Sequence, residues 1–271
     1  MKQVSHFIWL FRWLQRLFSA LVRRREVVDL LPSIILLRSR ILFDKRTGKI
    51  RTFKLRRQLS DYWAYDQCLA TSALDLDPFP QGTKLRSTYD KMLAKGVKPI
   101  ILDCGANIGF STYWLSVEYP KATIIAVEPD HDNALLAEYN TRHCNNVQII
   151  QAAVASSDCR LSLTNTDQGS DAFRTVPNDF GEITGYSIAS LVTMSGGTHE
   201  DLLLAKIDIE GFENDLFSAN VDWVQYAQAI IVEPHDWMIS GQATANNLLR
   251  AISSQPRDFL VHGEHVISFR I

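Results

Sequence analysis

From Pro99 onward the chain is punctuated by short apolar runs, most of which end in an acid. Ile100, Ile101 and Leu102 run into Asp103. Thr123–Val127 runs into Glu128 and Pro129, and Val147–Ile150 is a third run. Leu202–Ile207 ends at Asp208, and Ala229–Val232 ends at Glu233. Continuous runs of this length predict strands buried on both faces. Helical patterns fill the gaps, from the glycine turn after Asp103 to Tyr119 and over residues 131–143. Strands alternating with helices predict an α/β domain, a parallel sheet covered by helices on both faces. Residues 257–271 alternate loosely around Gly263 and predict an antiparallel edge hairpin.

Upstream the pattern differs. Ile41–Phe43 and Ile50–Leu55 flank a turn at Thr47–Lys49 and predict a small hairpin. Residues 61–74 read as a helix with Asp61 as N-cap, Asp75–Gly82 as a Pro/Gly loop, and 84–95 as a second helix. The expected organisation is a basic amphipathic, mainly helical extension over 1–50, a lead-in or lid over 51–96, and the α/β domain over 97–271.

Composition sharpens this picture. With 271 residues, 46% of them hydrophobic, the chain can bury one or two full cores, which excludes a disulfide scaffold or a disordered tail. The net charge of −2 divides into +12 over residues 1–60 and −14 over 61–271. Such asymmetry points to an anionic partner at the front. Residues 7–22, FIWLFRWLQRLFSALV, are too short and too basic for a spanning helix and are followed by three arginines rather than a cleavage site. On a helix, Arg12, Arg16, Ser19 and Arg23 share one stripe and Phe7, Leu10, Phe11, Leu14, Leu17, Phe18 and Leu21 the other side. That fits docking of residues 1–25 on an anionic membrane surface, or packing on protein. The four cysteines lack CxxC spacing and read as free thiols of a cytoplasmic protein, one that membrane docking would make peripheral at the inner face.

Ligands of open α/β sheets sit beyond the carboxyl ends of the strands. Those ends hold Asp103, Glu128, Asp208 with Glu210, and Glu233 with His235. The turn after Asp103, DCGANIGFS, has no lysine of a phosphate loop. Gly105 and Gly109 permit close backbone approach and a sharp entry into a helix. Glu128, ending the second run, is acceptor-only when ionised and suits both hydroxyls of a ribose. An acid there disfavours a 2′-phosphate. A cationic, phosphate-free adenosine ligand fits these features, and S-adenosyl-L-methionine is one.

The run ILDCGANIGFSTYWLSVEYPKATIIAVEPD resembles the first half of the FkbM family of S-adenosylmethionine-dependent methyltransferases. LLLAKIDIEGFENDLF resembles its Lys-x-Asp-x-Glu-Gly-x-Glu block, and IIVEPHDW its acid-x-His segment. The resemblance runs from about Leu55 to Ile271. It implies a Rossmann-like class I methyltransferase fold and O-methylation of hydroxyls, often on sugars or related natural products. It also implies cofactor contacts at Asp103, Gly105, Ala106, Asn107, Gly109, Glu128 and Pro129, with Ala152 and Ala153 flanking the adenine. The chain departs from the family in SIASLVTMSGG, where an expected Asp is missing, and Gly196 and Gly197 suggest a flexible loop over the site.

Methyl transfer to a hydroxyl requires alignment and removal of a proton. The candidates are His235, Lys206, Asp208 and Glu210. His235, with an ordinary imidazole pKa, is the favoured base. Strand alternation would put Lys206, Asp208 and Glu210 on one side, with Lys206 as orienter or substrate contact, or else as a structural ion-pair partner. Glu213 reads as a first-turn helix acid. Arg56, Arg57 and Asp61 read as a solvated face. A divalent metal on Asp208, Glu210, Glu233 and His235 is the less favoured reading, because no tight ligand spacing marks it. The acceptor's identity is expected to depend on loops such as 165–186. Against the enzyme stands a non-catalytic membrane-associated module that kept the fold. Nucleic acid is excluded as partner, because the arginines are interleaved with aromatics suited to a bilayer surface.

Overall fold

The computed structural model describes residues 27–30, 38–56, 58–71, 73–165, 173–178, 180–237 and 241–271. The amphipathic segment 7–22, Arg57 and part of the 165–186 loop therefore lie outside the described residues. In chain order the elements begin with β1 (Val27–Asp29), β2 (Ser39–Asp44), β3 (Lys49–Lys54), α1 (Leu59–Tyr65, continued by a π turn over Asp66–Ala70) and α2 (Pro80–Ala94). Then follow β4 (Ile100–Cys104), α3 (Phe110–Glu118), β5 (Thr123–Glu128), α4 (His131–Thr141) and β6 (Val147–Gln151). A small, mostly antiparallel insert contributes β7 (Ala153–Val154), β8 (Cys159–Asn165), β9 (Phe173–Pro177) and β10 (Ile183–Tyr186), with β7 parallel to β10. The chain closes with α5 (Ile188–Met194), β11 (Leu202–Ile207), α6 (Glu213–Leu216), β12 (Ala229–Val232), α7 (Asn246–Ser253), β13 (Arg257–His262) and β14 (His265–Arg270).

The central sheet has the order β13-β14-β12-β11-β4-β5-β6. β12, β11, β4, β5 and β6 are parallel, and β14 and β13 add the antiparallel edge hairpin through Gly263. The chain leaves β4 first toward β5 and β6 and returns to β11 on the other side. That reversal opens a crevice beyond the carboxyl ends of β4 and β11. Side chains alternate as the pleat demands: Ile101 joins one apolar layer, while Ile100, Leu102 and Cys104 join the other. The five parallel runs and the edge hairpin match the apolar pattern to within a residue or two at their ends.

Several expectations need correction. The boundary at residue 50 falls inside the hairpin, because β2 pairs with β3 from Ser39↔Lys54 to Asp44↔Lys49. The lead-in is part of the core rather than a loose lid. Phe53 meets Phe110 and Tyr113 edge-on at 5.5 and 4.9 Å, and Tyr65 meets Phe110 at 5.5 Å. Asp61 is no N-cap: Gln58 holds that position, and buried Asp61 instead binds the Arg56 guanidinium at 2.8 Å. It is therefore not on a solvated face either. α2 starts at Pro80, inside the expected loop, because proline suits the first helical turn. Within 165–186, Phe173–Pro177 and Ile183–Tyr186 are strands, paired antiparallel to β8. Gly197 lies beside Ile100, at the amino end of β4, which places the Gly196–Gly197 turn away from the crevice.

Candidate functional site

Two cavities meet at the crevice. The inner cleft is walled by Gly105, Asn107, Val127, Glu128, Pro129, Asn133, Ala152, Ala153 and Val154. The outer chamber is walled by α1 side chains including Trp63 and Cys68, and by Lys206, Glu233, His235 and Trp237. Gly105, Asn107, Asp208 and Glu210 line both.

The loop after β4 is shaped by contacts no other residue would allow. Gly105 has φ +80°, and a Cβ there would lie 1.7 Å from the Asp208 carbonyl oxygen. Gly109 has φ +87°, and its Cβ would press on the Ala137 backbone at 2.9 Å, so it serves helix packing rather than the cleft. Ala106 is buried and faces the outer chamber. Asn107 adopts a left-handed φ of 48°, and its N–H donates to Glu128 Oε2 at 2.8 Å.

Glu128 stands at the end of the inner cleft and is almost fully buried. Its other oxygen accepts from Asp130 N and Asn133 Nδ2, both at 3.1 Å. Three protein donors leave about one of its roughly four lone-pair directions for a ligand, which narrows the two-hydroxyl expectation to one strong contact. Burial, with a smaller contribution from Asp130, outweighs those hydrogen bonds and pushes its pKa up to about 7.

Asp103 was implied as a cofactor contact, and its side chain turns the other way. It is fully buried on the α3 face, where Ser111 and Thr112 hydroxyls donate to it at 2.7 and 2.6 Å. It holds the loop without touching the cleft. Lys206 lies opposite Asp103 in register. Its ammonium donates to the Gly105 carbonyl at 2.8 Å and sits 3.4 Å from Asp103 Oδ1 and 3.2 Å from Asp208 Oδ2. Burial opposes its charge, but Asp208 and Asp103 win and hold its pKa well above the usual ammonium range. Lys206 is thus a buried ion-pair partner that also borders the outer chamber.

β11 ends at Ile207, so alternation does not govern Glu210. Glu210 instead reaches the junction of the cavities through a left-handed backbone, φ 54°, unusual for this residue type. Burial and then the Asp208 charge push its pKa to about 7.

His235 is 2% exposed. Its Nδ1 donates to Glu213 Oε1 at 2.8 Å, which points Nε2 into the outer chamber. There Nε2 lies 3.6 Å from Glu210 Oε2, 3.7 Å from Asp208 Oδ1 and 4.0 Å from Glu233 Oε1. Burial lowers the ring's pKa, yet the bonded Glu213 and then Asp208 and Glu210 outweigh it and raise the pKa above the ordinary imidazole range. The acids around His235 thus work against it as the ready base that an ordinary imidazole pKa suggests. Burial and Asp208 also raise the pKa of Glu233.

Sequence reasoning set Glu213 aside as a helix acid, although α6 is only one turn long and Glu213 is 1% exposed. The Lys-x-Asp-x-Glu-Gly-x-Glu spacing was the available signal for it. Asn133, which ties Glu128 to α4, and the exposed Trp63 and Trp237 carried no sequence signal, since exposure is a tertiary property.

Residues 103–259 match the model of the methyltransferase FkbM domain, more than half of the chain. No curated protein sequence matches. Similar solved structures include a fibrillarin–Nop5p complex, at 15% identity over 69% of this chain and 82% of that one, TM-score 0.38. A putative O-methyltransferase from Klebsiella pneumoniae is similar at 13% identity over 69% and 79%, TM-score 0.38. A methyltransferase from Geobacter sulfurreducens is similar at 11% identity over 69% and 79%, TM-score 0.35. Among the described residues, no helix is long and apolar enough to cross a membrane.

Proposed function

The chain belongs to the FkbM methyltransferase family, and from that premise we propose that it methylates a hydroxyl of a sugar or glycan with S-adenosyl-L-methionine. The observation that carries the reading is the junction. A narrow cleft ending in Glu128 opens, at Gly105, Asn107, Asp208 and Glu210, into a wide chamber rich in carboxylates and aromatics.

The inner cleft fits the cofactor by its donor set. Glu128 offers a carboxylate lone pair for a ribose hydroxyl, and Ala152 and Ala153 are small enough to leave room for a flat ring. Asp208 and Glu210 put negative charge where a sulfonium would lie. The bound cofactor supplies an electrophilic methyl group.

The outer chamber fits a polyhydroxylated acceptor. Trp63 and Trp237 are 64% and 75% exposed, and their faces offer apolar platforms for the C–H side of a sugar ring. Glu233 and Asp208 accept hydrogen bonds from hydroxyls. Glu210, which with Asp208 lines both cavities but is not paired with Lys206, takes the proton of the reacting hydroxyl. His235, held by Glu213, positions the carboxylates around it. Asp103 and Lys206 lock the Gly105 loop. The reading extends to placement. The basic, aromatic-rich residues 1–25 dock the enzyme on an anionic membrane, and deleting them should release it from anionic vesicles.

The test is a labelled-methyl screen against sugar, glycan and lipid-linked sugar acceptors. Label should enter an alkali-stable ether on an acceptor in the native protein and not in Glu210→Gln. Absence of cofactor binding in calorimetry, with membrane binding intact, would return the chain to a non-catalytic module.

A further inference from the structure

The outer chamber contains a group of donors whose close convergence the methyl-transfer reading does not by itself require. Asp208, Glu233 and His235 each present one ligand atom, and these three atoms lie within 4.8 Å of one another. They come from two neighbouring strand ends, β11 and β12, so the sheet itself fixes their separation.

The histidine separates this group from an ordinary acidic cluster. His235 is 2% exposed, and its Nε2 makes no hydrogen bond among the described residues, although the ring is buried. Its nearest oxygens are at 3.6, 3.7 and 4.0 Å, all carboxylate and all beyond hydrogen-bond reach. The other ring nitrogen is bound by Glu213 at 2.8 Å, and Glu213 is itself buried. A carboxylate on one nitrogen, with the second nitrogen free and aimed at further carboxylates, is the arrangement that orients a metal-ligating histidine. The spacing of Nε2 from each carboxylate agrees. Two donors about 2.1 Å from one ion stand about 3.0–4.2 Å apart, depending on the angle between them. Nε2 lies 3.7 Å from Asp208 Oδ1 and 4.0 Å from Glu233 Oε1.

Charge supports the same conclusion. Asp208, Glu210, Glu213 and Glu233 crowd one small volume, and the nearby cation Lys206 is divided between Asp208 and Asp103. Lys206 engages Asp208 through Oδ2, which leaves Oδ1 on the His235 side.

We propose that Asp208, Glu233 and His235 hold a divalent first-row cation, with Glu213 as the positioning residue behind His235. The imidazole nitrogen beside two carboxylate oxygens favours a first-row ion over calcium or magnesium, which prefer oxygen throughout, and Mn²⁺ is the spectroscopically visible probe of that class. The remaining coordination positions open on the chamber, where water or the acceptor hydroxyl completes the sphere. The role, though not the binding, rests on the methyl-transfer reading: the cation polarises the acceptor O–H, and Glu210 receives the proton.

The test uses the full chain and Mn²⁺. Loss of the free-ion electron paramagnetic resonance signal should show about one Mn²⁺ bound per chain. Glu233→Gln and Asp208→Asn should abolish that binding. Glu213→Gln should weaken it about 10- to 100-fold, as removal of an orienting carboxylate does elsewhere. Glu128→Gln should bind Mn²⁺ like the native protein, and unchanged near-ultraviolet circular dichroism identifies variants that remain folded. No Mn²⁺ bound at millimolar concentration, or binding that survives Glu233→Gln and Asp208→Asn, overturns the site. Methyl transfer that is insensitive to chelation, in a protein that binds no Mn²⁺, removes the cation and leaves the methyltransferase reading standing. Stoichiometric Mn²⁺ binding without methyl transfer to any sugar acceptor does the reverse.

Discussion

The inner cleft and the outer chamber share four residues, yet they are made differently. The cleft is walled mostly by backbone and small side chains of one stretch, β4 to β7, with Gly105, Ala152 and Ala153 leaving the space and Glu128 closing it, and Asp208, Ile209 and Glu210 complete it from the loop after β11. The chamber draws Trp63 from α1, Lys206 from β11, and Glu233, His235 and Trp237 from the segment after β12. A cleft of backbone and small residues can be read from a motif. A chamber assembled from distant segments depends on how those segments are packed. The difference also predicts how each fails: the cleft through sterics and backbone strain, the chamber through lost chemistry in a folded protein.

The largest effect should come from Gly105→Ala. The new Cβ would meet the Asp208 carbonyl at 1.7 Å in a left-handed backbone, so both cavities should be disrupted at once. A stability loss of about 3 kcal/mol or more, with no detectable cofactor binding, is expected in thermal unfolding and calorimetry. A well-folded, cofactor-binding variant would show that the loop can move independently of β11.

Glu210→Gln should separate the two regions. It should lower kcat about 10²- to 10⁴-fold, the usual worth of a general base, while cofactor affinity changes only a few-fold. Single-turnover kinetics and calorimetry check the split. Equal losses in both would place Glu210 in the cleft alone.

Glu128→Ala addresses the cleft from its far end. Loss of a hydrogen bond to a charged acceptor should weaken cofactor binding about 10- to 100-fold, with the acceptor KM little changed. The pH dependence carries a sign. Burial raises the Glu128 pKa from 4.5 to about 7, and only the ionised form accepts freely from ligand hydroxyls. Cofactor affinity should therefore fall as pH drops through about 7 and be flat above it. The ligand-free fold goes the other way. It binds the Glu128 proton more tightly than the unfolded chain does, so this contribution is lost as pH rises from about 4.5 to about 7. Glu128→Gln should remove both trends, as calorimetry and chemical unfolding across pH would show.

Trp237→Ala should have the smallest effect. At 75% exposure it adds little to the fold, but loss of a stacking face should raise the acceptor KM about 2- to 10-fold. An unchanged KM for every sugar tested would move recognition to Trp63 or away from aromatics.

The central sheet was legible because two-sided burial leaves runs that are almost wholly apolar, most of them closing at or beside an acid. Leu202–Ile207 before Asp208 and Ala229–Val232 before Glu233 are the plainest cases. The glycine turn was legible because positive φ and close approach leave few other choices. The β7–β10 insert was not, since a partly exposed antiparallel sheet lacks such a run.

The sequence by itself determined the strand order's raw material, the polar residue at each strand end, and the family blocks around Asp103, Lys206 and His235. It could not determine which way those acids face. Asp103 and Glu128 both end apolar runs, yet register and pleat turn Asp103 onto α3 and leave Glu128 at the cleft. Likewise Glu213 looks like any first-turn acid until α6 brings it 2.8 Å from His235. Direction and partnership are properties of packing, because a side chain's charge state and free lone pairs depend on neighbours that the linear chain places 22 or more residues away.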